Sequence, residues 1–191
     1  MRIYLAGPEV FLPDPLAVGA AKKAICVRYG LTGVFPLDTP ALMPSGPPDW
    51  RRIHAANEMH IQSCDALVAN LTPFRGTAAD SGTVFELGYM RGLGRPVFGY
   101  THAPADYRAR VADARRLGEI WRDGEGLEVE DFGLAENLML EGAIAASGGV
   151  LLRGQAPGGW TDLALFERCV AEVSRRILPQ PNSGSRLSPS S

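Results

Sequence analysis

Two carboxylates, Asp80 and Glu86, bracket a Ser-Gly-Thr turn in the stretch AADSGTVFELGYMRG, where an apolar run with helical spacing begins. A helix start offers free backbone amides and the positive end of the helix dipole, so it attracts anions. Phosphate cradles need glycine-rich runs such as GxGxxG or GxxxxGK(S/T), and neither occurs in the chain. Two acids at such a place repel phosphate. They suit a neutral, hydroxyl-bearing ligand, or a reaction that develops positive charge. Glycosyl transfer is of that kind: its transition state is oxocarbenium-like, and a carboxylate can stabilise it or attack the anomeric carbon.

A plainer reading stands beside this one. Thr83 and Glu86 have the spacing of a capping box, in which Thr83 caps the helix and Glu86 returns a hydrogen bond to the Thr83 amide. Asp80 could be a solvated loop acid helped by the helix dipole. What sets the pattern apart is its place, after a strand and a loop of small and polar residues, where pockets form.

The elements that must position these acids alternate. RIYLAG reads as a buried strand ending at Gly7-Pro8, and PLAVGAAKKAICVRYG as a helix stopped by Gly30. GVFPLD is a weak second strand. The proline-rich TPALMPSGPP excludes regular structure and suits a loop over a pocket or a subunit contact. DWRRIHAANEMHIQSC is helical, and DALVANL is a buried strand that leads into the acidic turn. RPVFGY is a further strand, ADYRARVADARRLGEIW a charged exposed helix, AENLMLEGAIAAS a short helix, and WTDLALFERCVAEVSRRIL a terminal amphipathic helix. This alternation predicts an α/β fold, a parallel sheet with helices on both faces and right-handed crossovers. Ligands bind beyond the carboxyl ends of such strands, so the loops after RIYLAG, DALVANL and RPVFGY are expected to share a crevice.

The 191 residues suit one domain over 1–178, followed by a tail at 179–191 with no apolar periodicity that reads as disordered. A net charge of -2 and 46% hydrophobic residues give no electrostatic case for a nucleic-acid polymer or a membrane surface. Small molecules and further copies of the chain are the expected partners. Three scattered cysteines suggest neither disulfides nor a metal site, and with no secretion leader or membrane span the expected setting is the cytoplasm. His54, His60 and His102 lack metal-ligand spacing, the arginine pairs at 51–52, 115–116 and 175–176 read as solvated helix faces, and no metal or cofactor is implied.

Three separated blocks, IYLAGPEVF, CDALVANLTPFRGTAADSGTVFELGYMRGLGRPV and VEDFGLAENLML, together resemble the nucleoside 2-deoxyribosyltransferase family, above all its trypanosomatid-like branch. The resemblance runs through about residues 2–144. It implies a flavodoxin-like or Rossmann-like fold, a homo-oligomer, and exchange of bases on 2'-deoxyribonucleosides through a covalent glutamyl intermediate. N-glycoside hydrolysis of nucleosides or their 5'-monophosphates is the enzymatic alternative, and a sensing module that binds without turnover is another.

By that resemblance Glu86 is the nucleophile, Tyr4 the phenol that orients it, and Asp80 a ligand of the sugar hydroxyls. Asp80 favours nucleosides over nucleotides, since a buried carboxylate beside phosphate is costly. Asn137 and Met139 fall in the segment that enters a neighbouring subunit's site, although a helix cap explains Asn137 equally well. Phe11 corresponds to an aromatic that packs on the base, and Asp14 to a contact at the base edge. Either has an ordinary role open to it, core packing for Phe11 and capping of the helix at Pro15 for Asp14. Gly7, in the middle of the first block, is by the same resemblance a substrate contact. One departure matters: where several members carry an Asp that is discussed as a proton donor or base contact, this chain has Asn57, and an amide delivers no proton at neutral pH. Water, Asp14 and Asp65 remain as donors to the leaving base, with Asp65 better placed for a structural role.

Overall fold

A computed structural model describes residues 1–39 and 49–179. Most of the proline-rich loop and nearly all of the expected disordered tail lie outside the described residues. Five parallel strands form the central sheet: β1 (Arg2–Ala6), β2 (Thr32–Val34), β3 (Ala66–Asn70), β4 (Val97–Thr101) and β8 (Leu151–Arg153), in the order β2-β1-β3-β4-β8. This is the flavodoxin-like arrangement, whose winding reverses between β1 and β3 and opens a crevice there. β1, β3 and β4 are almost wholly buried. That is why they read as continuous apolar runs rather than alternating ones.

Helices cover both faces. α1 (Pro15–Arg28) and α6 (Ala164–Ile177) pack on one side, with Ile3, Leu5, Val68, Phe98 and Phe166 among the buried residues between. In α6 the buried Leu165, Phe166, Cys169, Val170 and Val173 recur at helical spacing. On the other face α2 (Trp50–Gln62), α3 (Ser81–Gly92) and α5 (Leu138–Ala146) enclose Tyr4, Leu67, Leu87, Met90 and Ile144. α1 ends as expected, with Gly30 in the left-handed region at φ +73.

Two sequence expectations fail. The charged helix proposed for 105–121 shrinks to α4 (Tyr107–Arg110), and β5 (Arg115–Leu117) and β6 (Ile120–Arg122) pair antiparallel, with β7 (Glu128–Val129) beside them. Asp113 and Gly118 adopt positive φ, the second in a two-residue hairpin turn, and both interrupt the helical path. Arg115 and Arg116 therefore lie on an exposed strand, not a helix face. The fifth sheet strand, β8, is too short at three residues to stand out between glycines.

A buried ionic cluster braces the carboxyl end of β1. The segment Pro8–Phe11 forms a 3-10 turn whose Glu9 is fully buried and pairs with the equally buried Lys22 of α1. Glu9 Oε1 also accepts from Asn70 Nδ2 at 3.0 Å and Tyr100 Oη at 2.9 Å. Lys22 and its hydrogen-bonding partners hold the Glu9 carboxyl below its usual range, against the opposing effect of burial. A Cβ at Gly7 would come within 2.0 Å of Glu9 Oε2, so only glycine fits over this carboxylate. Removing one partner strands the other charge in the interior, whereas removing both does not. Lys22→Met should lower stability by about 3–5 kcal/mol in urea denaturation, and Lys22→Met with Glu9→Gln should recover most of that loss.

Candidate active site

The crevice between β1 and β3 holds a pocket of about 460 Å3. Its walls come from the turn after β1 (Gly7, Val10, Phe11), the segment after β2 (Pro36, Leu37), α2 (Ile53, Asn57) and the start of α3 (Asp80, Gly82, Thr83, Glu86). The loops after β1 and β3 thus meet as the topology demands. The loop after β4, expected to join them, is absent from this lining, and the segment after the short β2 takes part instead. Val10, Pro36, Leu37 and Ile53 were not singled out in the sequence. Ile53 was within reach, since it lies four residues before the expected Asn57 on the same helix and shares its face.

At the turn the capping-box expectation is overturned. Asp80, not Thr83, caps α3: its Oδ2 accepts from the Thr83 amide at 2.9 Å and from the Thr83 hydroxyl at 3.0 Å. The helix end receives its anion from the chain itself. Glu86, one turn further along, is spared capping and accepts instead from the Tyr4 hydroxyl, 2.6 Å from its Oε1. Tyr4 is fully buried in β1, so the sheet itself fixes where that hydroxyl points.

Burial raises the Glu86 carboxyl from 4.5 to about 7; the nearby Asp80 charge adds to this, and the Tyr4 hydrogen bond opposes it. Burial, the Glu86 charge and that same hydrogen bond push the Tyr4 phenol far up, so it donates without ionising. Glu86 lines the pocket, and the Tyr4 hydroxyl engages its Oε1. Phe11 stands at the rim, 57% exposed, stacked on Phe74 with ring centroids 5.4 Å apart. Asn57 Oδ1 is buried in the wall without a partner among the described residues.

Other expected residues lie elsewhere. Asp14 caps α1, accepting from the Ala17 amide at 3.1 Å, and is not among the pocket residues. Asp65 accepts from the Arg2 amide at 2.8 Å, at the amino end of the sheet and away from the crevice. Asn137 caps α5 through the Met139 amide and donates to Glu130 at 2.7 Å, while Met139 is 70% exposed. Neither Asn137 nor Met139 lines the pocket of its own chain. The buried ion pair of Arg110 and Glu136, at 2.8 Å, ties their segment to the loop before Asp80, because Arg110 Nε also donates to the Thr77 carbonyl at 3.1 Å. No group of three or more candidate metal ligands occurs among the described residues, and no described helix is long and apolar enough to cross a membrane.

The sequence profile of the nucleoside 2-deoxyribosyltransferases matches residues 3–139, a span that takes in every wall of this pocket. The chain belongs to the nucleoside 2-deoxyribosyltransferase family. It is 32% identical to a 2-desoxiribosyltransferase from Leishmania mexicana, covering 73% of this chain and 84% of that one with a TM-score of 0.57. An uncharacterized protein of Schizosaccharomyces pombe is also 32% identical, over 77% of this chain and 78% of its own length. A conserved protein from Enterococcus faecalis, 22% identical, shares the fold over 93% of this chain and 99% of its own, with a TM-score of 0.56.

The raised carboxyl has a stability consequence that needs no substrate. Below about 4.5 Glu86 is protonated in folded and unfolded chains alike; as pH rises to about 7 the unfolded chain releases its proton first, and folding loses stability. Glu86→Gln escapes that loss. It should be more stable than wild type by about 3 kcal/mol at pH above 7, with the gain fading toward acid, in denaturation followed across pH.

Proposed function

We propose that the protein moves a 2-deoxyribosyl group between nucleobases by double displacement, with Glu86 as nucleophile. The observation that carries this reading is the 2.6 Å hydrogen bond from the Tyr4 hydroxyl to Glu86 Oε1 inside the crevice. It fixes, in the pocket wall, a carboxylate that does not cap its own helix, and it engages only Oε1. Family membership supplies the substrate class.

Glu86 Oε2 attacks C1' of a 2'-deoxynucleoside as the base departs, giving a deoxyribosyl ester. A second base attacks the ester from the face the first one left, and two inversions give net retention. Water competes as a slower acceptor. Asp80 spends Oδ2 on Thr83 and keeps Oδ1 for a sugar hydroxyl. Phe11 and Asn57 lie on the base side, and Gly7 lets the backbone approach the ligand. A second copy of the chain contributes Asn137 and Met139, in keeping with the exposure of Met139 beside Leu138 and Phe132 and with the absence of both residues from the lining of their own pocket. The site is then shared across a homo-oligomer. Asp14 has no part in this scheme, since its carboxylate is committed to α1.

Incubation of a deoxynucleoside with a different free base should yield the new deoxynucleoside by chromatography. Free deoxyribose as the sole sugar product would instead point to hydrolysis. Glu86→Gln should lower exchange by about a thousandfold or more while keeping its fold, and exchange at the normal rate would refute the nucleophile assignment.

Attack requires the ionised carboxylate, so kcat/KM should fall about tenfold per pH unit below about 7. Tyr4→Phe removes the hydrogen bond that favours ionisation and should move this acid limb to higher pH; an unmoved limb would show that Tyr4 does not tune Glu86.

A further inference from the structure

The double displacement leaves one charge unaccounted for. When C1' passes to Glu86, the electron pair of the C1'–N bond stays on the base, which leaves as an anion unless an acid protonates it. Among the described residues the pocket offers no such acid. Asp80 and Glu86 are its only carboxyl groups, Thr83 donates its hydroxyl to Asp80, and Tyr4 donates to Glu86. Asn57 cannot give up a proton at neutral pH, and Asp14 and Asp65 are held elsewhere. No Lys, Arg or His lines the pocket either.

A cation stands at the rim. The Arg75 guanidinium lies 5.2 Å from the ring centre of Phe11, which lines the pocket, and 4.7 Å from that of Phe74. No carboxylate pairs with it among the described residues, where its contacts are the faces of Phe11 and Phe74. Arg75 is also one of only two non-glycine residues with positive φ among the described residues, at +53. A bulky side chain in that region costs about 1 kcal/mol or more and persists where the surroundings impose it. Phe74 closes the turn in which this happens, its amide donating to the Ala78 carbonyl at 3.0 Å. The turn thus holds a weakly hydrated cation, without a carboxylate partner among the described residues, against the aromatic ring of Phe11 in the pocket wall.

Resting on the transfer reading above, we propose that Arg75 is the counter-charge to the departing nucleobase, which leaves as an anion paired with the guanidinium. The C1'–N bond breaks as the C1'–Oε2 bond to Glu86 forms. The electron pair spreads from the ring nitrogen to the carbonyl oxygens of the base, where guanidinium N–H groups donate to it, and the anion takes its proton from water after release. In the second step the same cation favours the deprotonated acceptor base, so no general acid or base is needed in either direction.

The test is a leaving-group series, deoxyuridines and deoxyinosines substituted on the base so that the bases differ in acidity, with wild type, Arg75→Gln and Arg75→Lys. Arg75→Gln should lose about tenfold to a hundredfold in kcat/KM with the most basic leaving groups and about twofold or less with the most acidic, steepening the dependence. Arg75→Lys keeps both the charge and the backbone demand, and should stay near wild type. Equal losses across the series, or equal losses in both variants, would overturn the proposal in favour of a role in shaping the turn. Calorimetry on free bases needs no turnover. At mildly alkaline pH, Arg75→Gln should bind the ionised bases xanthine and 5-nitrouracil about tenfold more weakly while neutral hypoxanthine and uracil are unaffected. Unchanged binding of the ionised bases overturns the proposal. Absence of turnover in wild type would overturn the transfer reading alone and leave this binding result to decide Arg75.

Discussion

A carboxylate with little water around it needs a donor that cannot drift, and at Glu86 the donor is a phenol rooted in the middle of a buried strand. Tyr4 has no freedom to follow Glu86: its ring is packed among Leu67, Leu87 and Met90, and β1 is paired on both sides. The sheet register therefore sets the direction of the hydrogen bond that holds the Glu86 carboxylate. Around this contact the other features take their places. Asp80 relieves Glu86 of capping, the cluster at Glu9 fixes the turn that carries Gly7 and Phe11, and Arg110 with Glu136 anchors the loop that delivers Asp80. Each is a polar group taken out of water and compensated by position rather than by solvent.

Much of this is legible in the sequence where physics acts locally. The buried strands announce themselves by uninterrupted apolar runs, α1 by its glycine stop, and the crevice by the order in which strands and helices alternate. Asp14 and Asn137 could be read as caps because capping depends on neighbours a few residues away. The family resemblance adds Tyr4, which by composition alone is one more core aromatic.

The rest is illegible for reasons that are equally physical. Whether Thr83 or Asp80 caps α3 depends on backbone angles that both spacings permit. The pairing of Glu9 with Lys22, Asn70 and Tyr100 joins residues up to 91 positions apart, and no periodicity encodes it. The stretch around Arg115 has a helical composition, yet two residues at positive φ turn it into a hairpin, and one of them is an aspartate that gives no such warning. Arg75 looks like an ordinary loop charge until Phe11 and Phe74 are seen beneath it.

The carboxylate of Asp80 sits on the free amides of α3 as a tethered competitor. Its effective concentration at that spot, of millimolar order or above for so short a tether, does not fall as free ligand becomes scarce. Any ligand carrying its own phosphate must displace this resident anion and then endure its charge nearby, whereas a ligand presenting only hydroxyls need displace nothing. A shorter, uncharged cap such as serine would keep the helix start satisfied and lift that competition. A preference between ligands with and without phosphate can thus be set by the one side chain that caps α3.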